Sequence, residues 1–133
     1  MSEKHMRSRV LQWLRPLNAI PVENPAQPGT PDVNYVEGWI ELKKLGKWPK
    51  AGEAVVRVEH FTPQQRNWHL LRKRRGGRTH VLLQVGDEWL LFDGADAAAS
   101  LGRVSRAELE RLALKHWKNG PRAEELRAIL AGP

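Results

Sequence analysis

Two turn signals, Glu37-Gly38 and Gly86-Asp87, each sit between runs of β character, and a sharply delimited helix lies between the two hairpins they define. The first hairpin is written by Val33 and Tyr35 on one arm and Trp39-Ile40-Glu41-Leu42-Lys43 on the other, the second by His80 to Val85 and Glu88 to Phe92. Between them Thr62 is a natural N-cap, Pro63 suits the first turn, Gln65 completes a capping box, and Gly76-Gly77 supplies the stop. A helix joining two β segments rules out an all-helical bundle. It predicts an α/β domain with a mixed central β-sheet flanked by helices.

The remaining segments fill in around that frame. Met6, Val10, Trp13 or Leu14, and Leu17 recur at helical spacing, and Pro16 should end that helix. Residues 18–30 contain Pro21, Pro25, Pro28 and Gly29 and read as an irregular connection; residues 54–58 read as a short strand. Ser105 and Glu108 open a helix expected to reach about Lys118, before Asn119-Gly120-Pro121. Arg122 to Leu130 forms a last helix, loosely docked because its apolar face is only Leu126, Ile129 and Leu130.

With 133 residues, 41% of them hydrophobic, the chain has room for one core of ordinary size. No apolar run is long enough for a membrane span, and the first residues show no secretory h-region, so a cytoplasmic protein is expected. The absence of cysteine excludes disulfides, thiolate metal sites and a cysteine nucleophile, leaving oxygen and imidazole as metal ligands. The net charge of +7, with 22 Lys+Arg against 15 Asp+Glu, favours a polyanionic partner such as nucleic acid.

The stretch richest in chemistry is Pro31-Asp32, eight intervening residues, and Glu41-Leu42-Lys43. On a strand, Glu41 and Lys43 project to one face and Leu42 to the other. If Asp32 and Glu41 lie on paired arms, their carboxylates converge on one cation, and such hard oxygens suit Mg²⁺, with Mn²⁺ able to substitute. Glu-Leu-Lys is also an ordinary strand with one buried leucine and two solvated charges, and spacing does not separate these readings.

The order of these motifs resembles the PD-(D/E)xK nuclease superfamily, especially its small VRR-type and Holliday-junction-resolvase-like members. Pro31-Asp32 and Glu41-Leu42-Lys43 match its two signature motifs, and the stretch from Phe61 through Gln65 to Gly76-Gly77-Arg78 resembles its glutamine-bearing helix, glycine stop and following strand. The resemblance implies a restriction-endonuclease-like core over residues 1–95 and extra C-terminal helices over 96–133, packed on the same domain. It also implies that Asp32, Glu41 and the Leu42 carbonyl hold the metal. Lys43 would position the attacking water or stabilise the developing charge, and Gln65, or its neighbour Gln64, would stand near the site. Glu3 would be the helical acid of the family, although a glutamate there also suits the helix dipole. The activity implied is Mg²⁺-dependent hydrolysis of DNA by a metal-activated water, structure-dependent and of little sequence specificity. A homodimer, and a phage or mobile-element origin, would suit so small an enzyme. The alternative is a nuclease-fold DNA-binding or assembly module without turnover.

Phosphate contacts are expected from Lys44, Lys47 and Lys50 around Trp48, and from Arg66, Arg72, Lys73, Arg74, Arg75 and Arg78 along and beyond the middle helix. Trp48 either stacks on an unpaired base or tucks over the sheet edge. Trp68 with Leu71 reads as core, and His60, His69 and His80 as exposed or partly packed.

Overall fold

The computed structural model describes residues 3–132, with side chains from residue 4 onward. Five helices pack on both faces of a six-stranded mixed sheet. Helix α1 (Glu3–Trp13) runs into a 3₁₀ turn at Arg15–Leu17, where Pro16 stands as expected. Strands β1 (Ile20–Pro21), β2 (Val33–Tyr35) and β3 (Gly38–Leu45) form an antiparallel meander at one side of the sheet. Helix α2 (Pro63–Arg74) crosses over to β4 (Thr79–Val85), which pairs parallel with β3. A Gly86-Asp87 turn leads into antiparallel β5 (Glu88–Asp93), with Val85 opposite Glu88 as the sequence predicts. Helices α3 (Gly94–Ser100) and α4 (Arg106–Leu112), strand β6 (Lys115–Trp117) and helix α5 (Ala123–Ala131) complete the chain.

Alternation along the strands divides the core into two layers. Ile40, Leu42, Leu82, Trp89 and Leu91 face Met6, Val10 and Leu14 of α1 and Leu126 and Leu130 of α5. Val81, Leu83, Val85, Leu90 and Phe92 face the opposite layer, with Phe61, Ala97, Leu101 and Leu109. Helix α5 is therefore firmly seated: Leu126 and Leu130 are fully buried, because two leucines a helical turn apart suffice when both meet the sheet.

Four sequence expectations need correction. The helix opened by Ser105 ends at Leu112, and residues 115–117 form an edge strand instead. Leu114 donates its N–H to the Leu91 carbonyl at 2.7 Å and Trp117 stands opposite Trp89, so pairing along β5 overrides helical propensity. The segment 96–133 is thus a mixed α/β part of the same sheet, not a purely helical addition. Residues 54–58 form no strand, only an isolated bridge from Val55 to Ser105. The stretch 18–30 contains β1, where a proline is tolerated because an edge strand can leave one side unpaired.

The fourth correction concerns the first hairpin, whose two-residue loop is Val36-Glu37, with Gly38 already paired to Tyr35. Gly38 is required by close approach, since a Cβ there would lie 2.3 Å from the carbonyl oxygen of Arg78, just before β4. Gly38→Ala should therefore cost about 2 kcal/mol through strain at the β3–β4 entry, read as a lower urea midpoint. A midpoint equal to wild type would contradict that account.

Candidate metal centre

The site grows from the start of β2, where its ladder with β3 ends and β3 continues alone on that edge. Val33 pairs with Ile40, so the next positions out, Asp32 and Glu41, face each other just beyond the ladder. The edge of β3 is unpaired from there on, and Leu42 donates its N–H to Asp32 Oδ2 at 2.8 Å. A strand residue presents its N–H and C=O to the same side, so the Leu42 carbonyl points to that edge as well. Asp32 thus closes the strand edge with its side chain and carries its carboxylate beside that of Glu41.

Glu41 and Lys43 project from the opposite face to Leu42, as expected, but they are not solvated: only 2% and 3% of each is exposed. Lys43 Nζ lies 3.1 Å from Glu41 Oε2, 2.9 Å from the His60 carbonyl and 3.1 Å from Gln65 Oε1. An ammonium has three protons, and all three are directed here. Gln65 completes the capping box read from the sequence and also reaches Lys43. Its Oε1 accepts from the Thr62 N–H at 3.0 Å to close the capping box and from Lys43 at the same time, whereas Gln64 is exposed.

The remaining Glu41 oxygen, Oε1, is buried without a hydrogen-bond partner. Burial pushes the Glu41 carboxyl up to about 8; the Asp32 carboxylate adds to the rise by its charge and by accepting from Glu41 once that group is protonated, while Lys43 opposes it. Two adjacent carboxylates, one with an orphaned buried oxygen, and a main-chain carbonyl on the same edge are a donor set that fits a hard divalent cation. A cavity of about 210 Å³ beside them is lined by Asp32, Leu42, Lys4 and Arg7. Lys4 and Arg7 come from α1, and sequence reading missed them; their spacing of three on one helix face was the available signal. The side chain of Glu3 lies outside the described residues.

The basic residues separate into inward and outward groups. Arg66 is spent on the carbonyls of Ala98 and Leu101, at 2.9 and 2.6 Å, and holds α3 to α2. Lys73 pairs with Asp93 at 2.9 Å, and Arg78 is half-buried with its guanidinium against Gly132. Lys47, Lys50, Arg72, Arg74 and Arg75 are exposed, and Lys44 is half-buried. Trp48 is no open platform: its indole N–H donates to Glu88 Oε2 at 2.7 Å and Arg106 covers the ring at 4.6 Å. The edge-tucked alternative therefore holds.

The inward face of α2 also differs from expectation. His69 is fully buried and Trp68 half-exposed, because α2 lies over the β3–β4 region with Phe61 and His69 turned to the sheet. His69 Nδ1 is 2.7 Å from Thr79 Oγ1, and His80 is buried beside the Tyr35 hydroxyl at 3.5 Å. Burial pushes both imidazoles down to about 4, only partly offset by Asp93.

A second cluster, Glu88, Glu110 and His116, brings three potential ligand atoms within 4.8 Å of one another. Its groups are already engaged. His116 Nε2 is 2.9 Å from Glu88 Oε1, and Arg106 reaches Glu110 Oε2 at 3.2 Å and Glu88 at 3.4 Å. Against the desolvation it suffers, Glu88 is held below the usual carboxylate range by Trp48, His116 and Arg106. These contacts make it a knot joining β5, α4 and β6.

No family model and no curated protein matches the chain. Among the described residues no helix is long and apolar enough to cross a membrane.

Proposed function

We propose that the chain is a divalent-metal-dependent DNA endonuclease with a restriction-endonuclease-like core, hydrolysing phosphodiester bonds in structured DNA with little sequence specificity. One observation carries this reading: Asp32, the Glu41–Lys43 pair of β3 and Gln65 of α2, from three separate stretches of chain, come together at Glu41, whose second, buried carboxylate oxygen has no hydrogen-bond partner. Asp32, Glu41 and the Leu42 carbonyl would hold the ion. When bound, it supplies Lewis-acid polarisation of a phosphate oxygen and makes water easier to deprotonate.

The protein's own groups divide the other tasks. Lys43 offers a fixed positive charge, and by exchanging its contact with Glu41 it can donate to a phosphate oxygen as charge grows there. Gln65 and the His60 carbonyl keep its Nζ in place, so little reorganisation is needed. Lys4 and Arg7 line the same cavity and supply counter-charge for the DNA backbone.

A labelled panel of single strand, duplex, flap, splayed fork and four-way junction, incubated with Mg²⁺ or Mn²⁺, should yield products that a chelator abolishes. Absence of product from every member would overturn the reading and leave the nuclease-fold DNA-binding module.

A further inference from the structure

Trp39 projects from the same face of β3 as Glu41 and Lys43 and stands two residues before Glu41, about 6.6 Å along the strand. Trp68 of α2 packs edge-on against it, with ring centroids 5.3 Å apart. Arg72, one turn further along α2, lays its guanidinium 4.2 Å from the Trp68 ring and 5.7 Å from that of Trp39. A cavity of about 480 Å³ opens here, lined by Trp68, Leu71, Arg72, Arg75 and Gly77, and its lining contains no acid.

Folding alone does not explain this surface. The inward position of α2 is taken by His69, while Leu70 and Leu71 remain 41% and 43% exposed beside a half-exposed tryptophan. Flat π faces interleaved with guanidinium groups complement a ligand that alternates flat rings with negative charges. A base inside a duplex has both faces covered by its stacked neighbours, so only an unpaired base can present one to Trp68.

From this geometry we infer that the cavity lined by Trp68 and Arg72, with Trp39 packed against Trp68, is a subsite for unpaired nucleotides of single-stranded DNA. As a statement about which DNA is cut it rests on the nuclease reading; as a binding site it does not. Arg72, whose guanidinium covers the Trp68 ring in the free protein, gives up that face to a base and moves with Arg75 to the flanking phosphates.

Binding is measured in EDTA, where no cleavage intervenes, with a fluorescein-labelled oligothymidylate and a duplex of equal length. Trp68→Ala should weaken single-strand binding by about tenfold or more, and by about tenfold more than it weakens duplex binding. Trp68→Phe should restore most of the loss, and Arg75→Ala should lower the salt dependence of single-strand binding. An oligonucleotide carrying 2-aminopurine should be quenched on binding wild type, which keeps the test decisive if Trp68→Ala folds poorly. Equal losses for both DNAs in a folded variant, or no quenching, would overturn the subsite. So would unaltered oligonucleotide binding by Trp68→Ala together with self-association abolished by Leu71→Glu, which would make the cavity a contact between copies of the chain. Failure of the nuclease reading shows differently, as no product from any substrate while the single-strand preference persists.

Discussion

Lys43→Ala is expected to lower metal-dependent cleavage by about two to three orders of magnitude and to cost about 3 kcal/mol of stability in the same protein. The second effect follows from burial. Removing the ammonium strands Glu41, whose Oε1 already lacks a partner, and releases Gln65 and the His60 carbonyl from their shared donor. Because Glu41 can take up a proton, with its carboxyl pushed up to about 8, the loss stays near the lower end for a broken buried pair. The single variant therefore confounds chemistry with folding, and the double variant Glu41→Met/Lys43→Met separates them. Replacing both charges by apolar side chains of similar length removes the desolvation penalty together with the attraction. The double variant should unfold within about 1 kcal/mol of wild type, or above it, and yet give no detectable cleavage. Urea unfolding and initial cleavage rates measure the two effects independently. Near-wild-type cutting by the double variant would remove Glu41 and Lys43 from the mechanism.

The parts of this site that were legible in the sequence are those set by local rules. Alternation placed Glu41 and Lys43 on one strand face, the hairpin placed Asp32 opposite Glu41, and the capping box fixed the start of α2 and hence Gln65. Tertiary competition decided the rest. Nothing between Leu112 and Lys115 breaks a helix by propensity, yet the open edge of β5 draws residues 115–117 into the sheet. Trp68 with Leu71 reads as a core face, but α2 turns His69 inward, leaving Trp68 half-exposed and Leu71 at the surface. For Trp48 the sequence leaves stacking and an edge-tucked place both open, and Glu88 and Arg106, 40 and 58 positions further along the chain, decide for the second. Lys4 and Arg7 carry no mark in the sequence beyond their spacing of three; only the seating of α1 on β3 reveals that they line the cavity. Local chemistry thus marked the candidate ligands, while long-range packing decided which cations stand beside them.

The metal-free protein should be most stable near pH 6.5, and Mn²⁺ should bind about tenfold more tightly per pH unit up to about pH 8. His69 and His80, ordinarily titrating at 6.5, are pushed down to about 4, so their contribution is complete above 6.5 and is lost as the pH falls toward 4. Glu41, ordinarily titrating at 4.5, is pushed up to about 8, so its contribution is complete below 4.5 and is lost as the pH rises to 8. Between 4.5 and 6.5 the unfolded chain gains protons on two imidazoles while the native chain keeps one on Glu41, a net of one proton that makes stability rise by about 1.4 kcal/mol per pH unit. Above 6.5 only Glu41 remains, and stability should fall at a similar slope until pH 8. Asp93 and Glu88, held below the usual carboxylate range, act at lower pH and leave this window alone. A divalent ion must displace the Glu41 proton, so its affinity climbs over the range in which the metal-free fold weakens, and saturating Mn²⁺ should flatten the alkaline fall. Urea midpoints from pH 4.5 to 8.5 with and without Mn²⁺, and calorimetry in two buffers of different ionisation enthalpy, give both slopes and the proton released. An affinity independent of pH would mean that the ion does not bind at Glu41, and a metal-free stability still rising at pH 8 would mean that its carboxyl is ionised in the fold.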